Sequence, residues 1–136
     1  MNDKKLPIGY YVKLVDQLFT ERINAVQAEF DLTRVTWQIL NFISEQVTAK
    51  KDELVTLMLS LTDNQTIEQA LLKFAQDGII KPESENLISL TEKGKALFVD
   101  CSNKQYQFRQ KSIQHISQED YQTTISTLEQ IIKNIQ

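Results

Sequence analysis

Residues 74–94 constrain the fold of this chain more than any other segment. They contain three of its five Gly and Pro residues: Gly78, Pro82 and Gly94. Gly78 ends a helical pattern and fits the position after a helix, where the backbone takes a positive φ. Two apolar runs, residues 79–80 and 87–90, flank a five-residue polar loop, which predicts a β-hairpin. Thr91 then fits the N-cap of another helix. The segment is therefore predicted as helix, tight hairpin and helix.

Two helices are predicted at the start of the chain. Pro7 suits the first position of a helix, and apolar residues recur at helical spacing to about Glu29. Thr33 fits the N-cap of a second helix, which fades near Val47. The chain therefore opens with one long amphipathic helix and a shorter one.

Two further helices are predicted before the hairpin. The third opens with polar residues 50–53 and turns one apolar face inward, formed by Leu54, Leu57, Met58 and Leu61. Thr62 and Gln65 have the Thr-x-x-Gln form of a capping box, which predicts the N-terminus of the fourth. The inward face of this fourth helix consists of Ile67, Ala70, Leu71 and Phe74. Two short helices followed by a hairpin are typical of a winged helix-turn-helix.

The C-terminal part is predicted as two helices. The first runs from Thr91 to about His115, and Ser117 caps the second, whose apolar residues follow a regular 4-3-4-3 spacing. The predicted fold class is mainly α with a small β-hairpin wing. We expect a single domain over residues 1–136. Its winged-helix part spans residues 32–90, and the N- and C-terminal helices, residues 7–30 and 91–136, form a dimerisation part.

The terminal helices predict a homodimer. A helix from residue 91 to residue 115 is about 35 Å long, and a body of roughly 60 residues cannot cover it and the last helix together. Each apolar residue left exposed on the last helix would forgo roughly 1.5–3 kcal/mol of burial. A second copy, related by a two-fold axis, would cover these faces. The alternative is a monomeric bundle in which the same helices fold back on their own chain.

Composition excludes several classes of protein. The single cysteine, Cys101, cannot form an internal disulfide, and no signal peptide or membrane span is predicted, so we expect a cytoplasmic protein. His115 is the only histidine, and one Cys with one His cannot supply the four ligands of a zinc site. No nucleophile with a base and no Gly-rich phosphate loop is present. We therefore expect no enzyme activity, no metal and no cofactor.

The charge distribution is uneven. From residue 62 to residue 90, five acidic residues stand against two bases, Lys73 and Lys81, a balance of −3. The remaining 13 acids and 13 bases cancel, so all the net negative charge lies in the fourth helix and the wing. This is unusual for a nucleic-acid-binding protein, because DNA is an anion.

Four segments carry a resemblance to a known family over nearly the whole chain. They are residues 32–40 (Leu-Thr-Arg-Val-Thr-Trp-Gln-Ile-Leu), 74–80 (Phe-Ala-Gln-Asp-Gly-Ile-Ile), 90–97 (Leu-Thr-Glu-Lys-Gly-Lys-Ala-Leu) and 116–120 (Ile-Ser-Gln-Glu-Asp). With these elements in order, the chain resembles the MarR family of bacterial transcriptional regulators. The resemblance implies a homodimer that binds duplex DNA, often a repressor released by a small lipophilic or phenolic ligand or by an oxidant.

The resemblance also implies a DNA-reading helix that begins near Asp63. Carried over residue by residue, the candidate DNA contacts are Asn64, Gln65, Thr66, Gln69, Lys73 and Lys81. Amide side chains can pair bidentately with adenine in the major groove, and the lysines would contact phosphates. The family's wing usually carries an arginine that enters the minor groove. The loop here, residues 82–86, reads Pro-Glu-Ser-Glu-Asn and has none.

Two further sites are candidates, an effector cleft and a thiol. An effector cleft would lie between the terminal helices and the winged-helix part, near Tyr10, Tyr11, Trp37 and Phe108, although aromatic residues at this spacing also serve as core. Cys101 lies on an apolar helix face, where it is either a buried structural thiol or a redox sensor. The alternative function is a winged-helix dimer with weak or lost DNA binding that acts as a protein-interaction module.

Overall fold

The computed structural model describes residues 5–136, which contain six helices and three short strands. In chain order the elements are α1 (Ile8–Glu29), α2 (Arg34–Ser44), β1 (Ala49–Lys50), α3 (Lys51–Met58), α4 (Asn64–Gln76), β2 (Ile80–Ser84), β3 (Leu87–Leu90), α5 (Glu92–Ser112) and α6 (Gln118–Ile135). The predicted fold class, mainly α with a small hairpin wing, is confirmed.

The first two helices follow the sequence signals closely. Pro7 lies just outside α1 as its N-cap, one residue earlier than predicted. Asp31, in the turn after α1, takes a left-handed φ of 59°. Thr33 caps α2 as predicted: its hydroxyl accepts from the Thr36 N–H at 3.2 Å, and its own N–H donates to the Thr36 hydroxyl at 2.8 Å. The helix ends at Ser44 rather than near residue 47, because the chain then enters β1.

The start of α4 differs from the prediction by one residue. Asp63, not Thr62, is the N-cap, and its carboxylate accepts the Thr66 N–H at 2.7 Å. Asp is preferred over Thr at this position. The predicted capping box of Thr62 and Gln65 is therefore wrong. Gly78, with φ of 72°, follows α4 as predicted.

The sheet is larger than the predicted hairpin, and its loop is shorter. The strand order is β1-β3-β2, all antiparallel, and β1 was not predicted. Strand β2 continues through Ser84, so the predicted five-residue loop contracts to the two-residue turn Glu85–Asn86. Pro82 is tolerated within β2 because β2 is an edge strand, where a missing N–H breaks no ladder bond. We call β2, the turn and β3 the wing.

The core lies between the winged-helix elements. Its fully buried large side chains are Ile39, Leu40, Ile43, Leu54, Met58, Ile67 and Cys101. The predicted inward face of α4 is confirmed. The prediction for α3 is half wrong: Leu57 and Leu61 are 53% and 50% exposed. The helix has only eight residues and ends at Met58, so Leu61 falls in the following turn.

Close packing joins α5 to the base of the wing. The Thr91 hydroxyl accepts the Gly94 N–H at 3.0 Å and so caps α5, as predicted. A Cβ added at Gly94 would fall on the carbonyl oxygen of Ile79, so only glycine fits there. The helix ends at Ser112, earlier than predicted, and His115 then takes a left-handed φ of 65°. Ser117 caps α6 by accepting the Asp120 N–H at 3.0 Å.

The chain packs as two compact units, with the boundary inside α5 between Gln105 and Tyr106. The first contains the winged-helix elements and α1, which meets the core through its last turns, at Val26 and Phe30. In the second, α6 has no fully buried residue. A single domain over residues 1–136 stays a prediction. Within residues 5–136, no helix combines the length and apolar character that a membrane span requires.

Candidate nucleic-acid interface

Helix α4 presents a polar face to solvent. Asn64, Gln65 and Gln69 are exposed, whereas Thr66 is half-buried. Gln65 and Gln69 are four residues apart, so their side chains lie on the same face, one turn above the other. The opposite face anchors the helix through Ile67, Ala70, Leu71 and Phe74. Two amides on a rigid, capped helix have the donor and acceptor set that reads base edges.

Lys73, the one base on α4, is already paired. Its ammonium lies 2.8 Å from an Asp31 carboxylate oxygen and 3.8 Å from one of Asp77. Hydrogen bonding to Asp31 raises the pKa of Lys73, and the same bond lowers the pKa of Asp31. All three side chains are more than half exposed, so water screens the pair. A phosphate would have to compete with two carboxylates for this lysine.

The neighbouring lysines are also engaged. Lys51 pairs with Glu68 of α4 at 3.2 Å. On the other side, the Lys93 ammonium donates to the Asp77 carbonyl at 2.8 Å. Of the candidate DNA contacts, Lys81 on β2 is exposed and forms no ion pair within residues 5–136. The face therefore offers few free cations to the DNA backbone.

The wing tip bonds to the protein itself. The Asn86 carbonyl accepts the Lys51 N–H at 2.9 Å, and its side-chain oxygen accepts the Asp52 N–H at 3.0 Å. Along the wing, Glu83 accepts from the Ser89 hydroxyl at 2.7 Å. The role of Asn86 was not predictable from the sequence, because no local pattern links it to the first turn of α3, more than 30 residues earlier in the chain.

Three exposed leucines lie between residues 57 and 61, at the end of α3 and in the turn before α4. Leu57, Leu59 and Leu61 are 53%, 51% and 50% exposed. Acidic residues flank them in the sequence, Glu53 on one side and Asp63 on the other. We call these three leucines the leucine turn. Large apolar side chains exposed this close together in the chain are candidates for protein contact.

The candidate effector residues do not form one cluster in the single chain. Tyr10 and Tyr11 are exposed on the first turn of α1, with their rings edge-to-face at 5.5 Å. Trp37 is half-buried and stacks on Phe98 at 5.3 Å. A groove of about 640 Å³ next to Phe98 is lined by the wing, α5 and the loop before β1, but by none of these three candidates. Phe108 falls in the second unit.

Cys101 has the surroundings of a structural thiol. It is fully buried, and desolvation raises its pKa. The Gln105 amide donates to its sulfur at 3.4 Å. A higher pKa lowers the fraction of the thiolate, and the thiolate is the reactive form. Among residues 5–136, no three His, Cys, Asp or Glu side chains group as a metal site would require.

Comparison with known proteins identifies the fold. No protein-family model matches the chain, and no curated protein resembles its sequence closely enough to be significant. MepR, a transcription regulator of the Staphylococcus aureus multidrug efflux pump MepA, matches in structure with a TM-score of 0.81 at 14% identity, over 96% of this chain and 100% of that one. The oxidised form of MarR from E. coli matches with a TM-score of 0.67 at 19% identity, over 96% and 97%.

A protein of unknown function from Listeria innocua matches with a TM-score of 0.76 at 19% identity, over 95% of this chain and 93% of that one. At such low identities these comparisons establish the fold, and the chain has the fold of MarR-family regulators. The neighbours with a stated role are transcriptional regulators rather than enzymes.

Proposed function

We propose that this protein is a homodimeric, MarR-like transcriptional regulator that binds duplex DNA in the cytoplasm. The exposed amide face of α4, on a capped helix within this fold, is the observation that carries the proposal. Gln65 and Gln69 would read base edges in the major groove, with Asn64 and Thr66 beside them and Lys73 and Lys81 directed at phosphates. A small lipophilic effector near Tyr10, Tyr11 and Trp37 would release the protein as a repressor.

The exposed face of α1 supports the homodimer. Leu14, Val15 and Leu18 are 37%, 52% and 46% exposed, and Ile8, Tyr10 and Val12 are similarly open. In the second unit, Tyr121, Ile125 and Ile132 of α6 are 42%, 38% and 53% exposed. A single chain that left so many large apolar residues half-exposed would forgo part of the roughly 1.5–3 kcal/mol that full burial of each contributes. A second copy of the chain would cover the exposed apolar faces of both α1 and α6.

The paired lysines give DNA binding a distinctive salt dependence. Each phosphate contact contributes about 0.9 to the slope of log affinity against log salt concentration. With Lys73 held by Asp31 and Asp77, and Lys51 held by Glu68, few contacts remain to release counterions. We expect sequence-specific binding at low salt with a shallow slope.

The test is selection of bound duplexes from a random pool, followed by anisotropy titration of the selected duplex. Gln69→Ala should weaken binding by about 1–3 kcal/mol, the range for a bidentate base contact. Gln76→Ala, an exposed amide at the end of the same helix, is the matched control and should leave binding unchanged. Repeating the selection with Lys73→Glu would show how far that lysine contributes. No enrichment of any duplex at low salt would overturn DNA binding.

The leucine turn favours a second candidate function, a protein-interaction module. Its apolar side chains, flanked by acidic residues, suit a basic and amphipathic protein surface better than they suit phosphates. In this function the winged-helix dimer would have weak or lost DNA binding. Co-purification from the native cell separates the two functions. Retention of a basic DNA-binding protein that Leu59→Ser abolishes, with no bound DNA, supports the module. Retention of DNA alone supports the regulator.

A further inference from the structure

Helix α3 lacks a cap from its own segment. Its N-cap residue is Lys50, whose side chain makes no capping hydrogen bond. The first N–H groups of a helix have no partner within the helix and need one elsewhere. Asn86 supplies it from the wing: its backbone carbonyl takes the Lys51 N–H and its side-chain oxygen takes the Asp52 N–H. Asn86 therefore acts on α3 as an N-cap asparagine would, although it lies 34 residues away from Asp52.

The position of the turn explains why Asn86 reaches α3. Leu87 pairs with Ser84 across the hairpin and with Lys50 of β1 on its other side. The turn Glu85–Asn86 therefore ends next to Leu87, beside Lys50, and Lys50 leads directly into α3. The tip of the wing lies against the helix N-terminus, and the side-chain oxygen of its one amide residue is used there as an acceptor.

The charges on the wing also disfavour contact between its tip and DNA. Glu83 and Glu85 are exposed near the tip, and Lys81, the wing's one base, lies further back, opposite Ser89. The minor groove carries a strongly negative potential and attracts Arg and Lys side chains. A tip with two carboxylates and an occupied amide would be repelled there. Helix α4 carries one carboxylate, that of Glu68, and this one is already paired with Lys51.

We propose that the tip of the wing is an internal clip that caps α3 through Asn86 and does not enter the minor groove, so that base reading is confined to the major groove. The part that concerns the grooves rests on the proposed function. The part that concerns the clip does not, because it depends only on contacts within the chain. Asn86 is a positioning residue in this scheme, acting on the helix-turn-helix through the first turn of α3.

Amide hydrogen exchange in the full-length protein tests the clip. Asn86→Ala removes the side-chain acceptor and should speed exchange of the Asp52 N–H by roughly fivefold or more. The Lys51 N–H, bound to the backbone carbonyl of residue 86, should change less. The melting temperature should fall by roughly 3–6 °C. Asn86→Asp, which keeps an acceptor, should restore both values, and Glu85→Ala is the matched control in the same turn. Unchanged exchange at Asp52 in Asn86→Ala would overturn the clip.

Methylation interference with dimethyl sulfate on the selected duplex tests the grooves, since the reagent modifies guanine N7 in the major groove and adenine N3 in the minor groove. We expect no interference at adenine N3, and interference at guanine N7 where a guanine lies in the contacted part of the major groove. Interference at adenine N3 beside the site would overturn the proposal. If no duplex is retained in the selection, the proposed function fails, and the exchange measurement still decides the clip.

Discussion

Helices α1 and α4 are both amphipathic, yet they bury their apolar faces to different degrees. Helix α4 has 13 residues and buries Ile67, Ala70, Leu71 and Phe74 within its own chain. Helix α1 has 22 residues, and its one buried residue is Gln27. The periodicity of a helix tells which face is apolar, but not which molecule covers it. The difference separates the part that a single chain completes from the part for which we propose a second copy.

The largest expected effect comes from replacing one leucine in each of the two regions. Leu54→Ala in the fully buried core should lower the free energy of unfolding by about 2–5 kcal/mol at every protein concentration. Leu18→Ala on α1 should have little effect in dilute protein and a growing effect where the wild type associates. Urea denaturation at two protein concentrations, with sedimentation equilibrium, measures both. A Leu18→Ala variant with unchanged association would break the comparison.

Two glycines give the next largest contrast. Gly94→Ala places a Cβ on the carbonyl oxygen of Ile79 and should cost about 1–3 kcal/mol, as overpacking does. Gly9→Ala on α1 meets no atom within 4 Å and should stabilise the helix by about 0.5–1 kcal/mol. Thermal unfolding of both variants in dilute protein checks the signs. A stable Gly94→Ala would mean that α5 and the base of the wing are less closely packed than described.

The ion pair between Asp31 and Lys73 joins the end of α1 to α4, and breaking it should have a smaller effect. Asp31→Asn keeps a residue that tolerates the left-handed φ and removes the charge that holds Lys73. The freed lysine should strengthen duplex binding and steepen the salt slope by about 0.9. Asp16→Asn, the same change on an exposed part of α1, is the control. Anisotropy titrations across salt concentrations measure this slope. An unchanged slope would exclude Lys73 as a phosphate contact.

The smallest effect concerns the cap of α4. Hydrogen bonding from the Thr66 N–H lowers the pKa of Asp63 below its usual value of 3.8. Because the folded-state pKa is the lower one, the ionised carboxylate stabilises the fold fully above pH 3.8, and this contribution is lost as the pH falls through the folded-state value. Asp63→Asn keeps a capping oxygen without titrating, so its stability should fall less than that of the wild type between about pH 5 and about pH 2. Urea denaturation of both proteins across this pH range measures the difference, and parallel curves would contradict the prediction.

Local chemistry made much of the fold predictable. Thr33, Thr91 and Ser117 each cap the helix that was expected of them, and Gly78 has the expected positive φ. The errors arose where two local signals competed or where an element was short. Thr62 and Asp63 both suit an N-cap, and the carboxylate prevailed. Leu61 continued an apolar spacing beyond the end of an eight-residue helix, and Leu57 is exposed in its last turn.

The candidate interface was predictable only as residue types on a helix face. The exposed positions of Gln65 and Gln69 follow from the periodicity of α4. The engagement of Lys73 by Asp31 does not, because 42 residues separate them and nothing in the sequence pairs one surface charge with another. The same holds for Asn86, which reads locally as a turn residue and serves as the cap of a distant helix.

The sequence by itself therefore determined the helices, the wing and the acidic balance of residues 62–90, because periodicity, capping and charge are properties of neighbouring residues. Tertiary structure alone decided which of those charges are free and whether the wing tip is available. These depend on which groups fold against one another, and a hydrogen bond or ion pair between distant segments leaves no trace in either segment. For this chain, folding brings Asp31 to Lys73 and Asn86 to α3, so the winged-helix shape comes with a lysine and a wing tip that are already engaged.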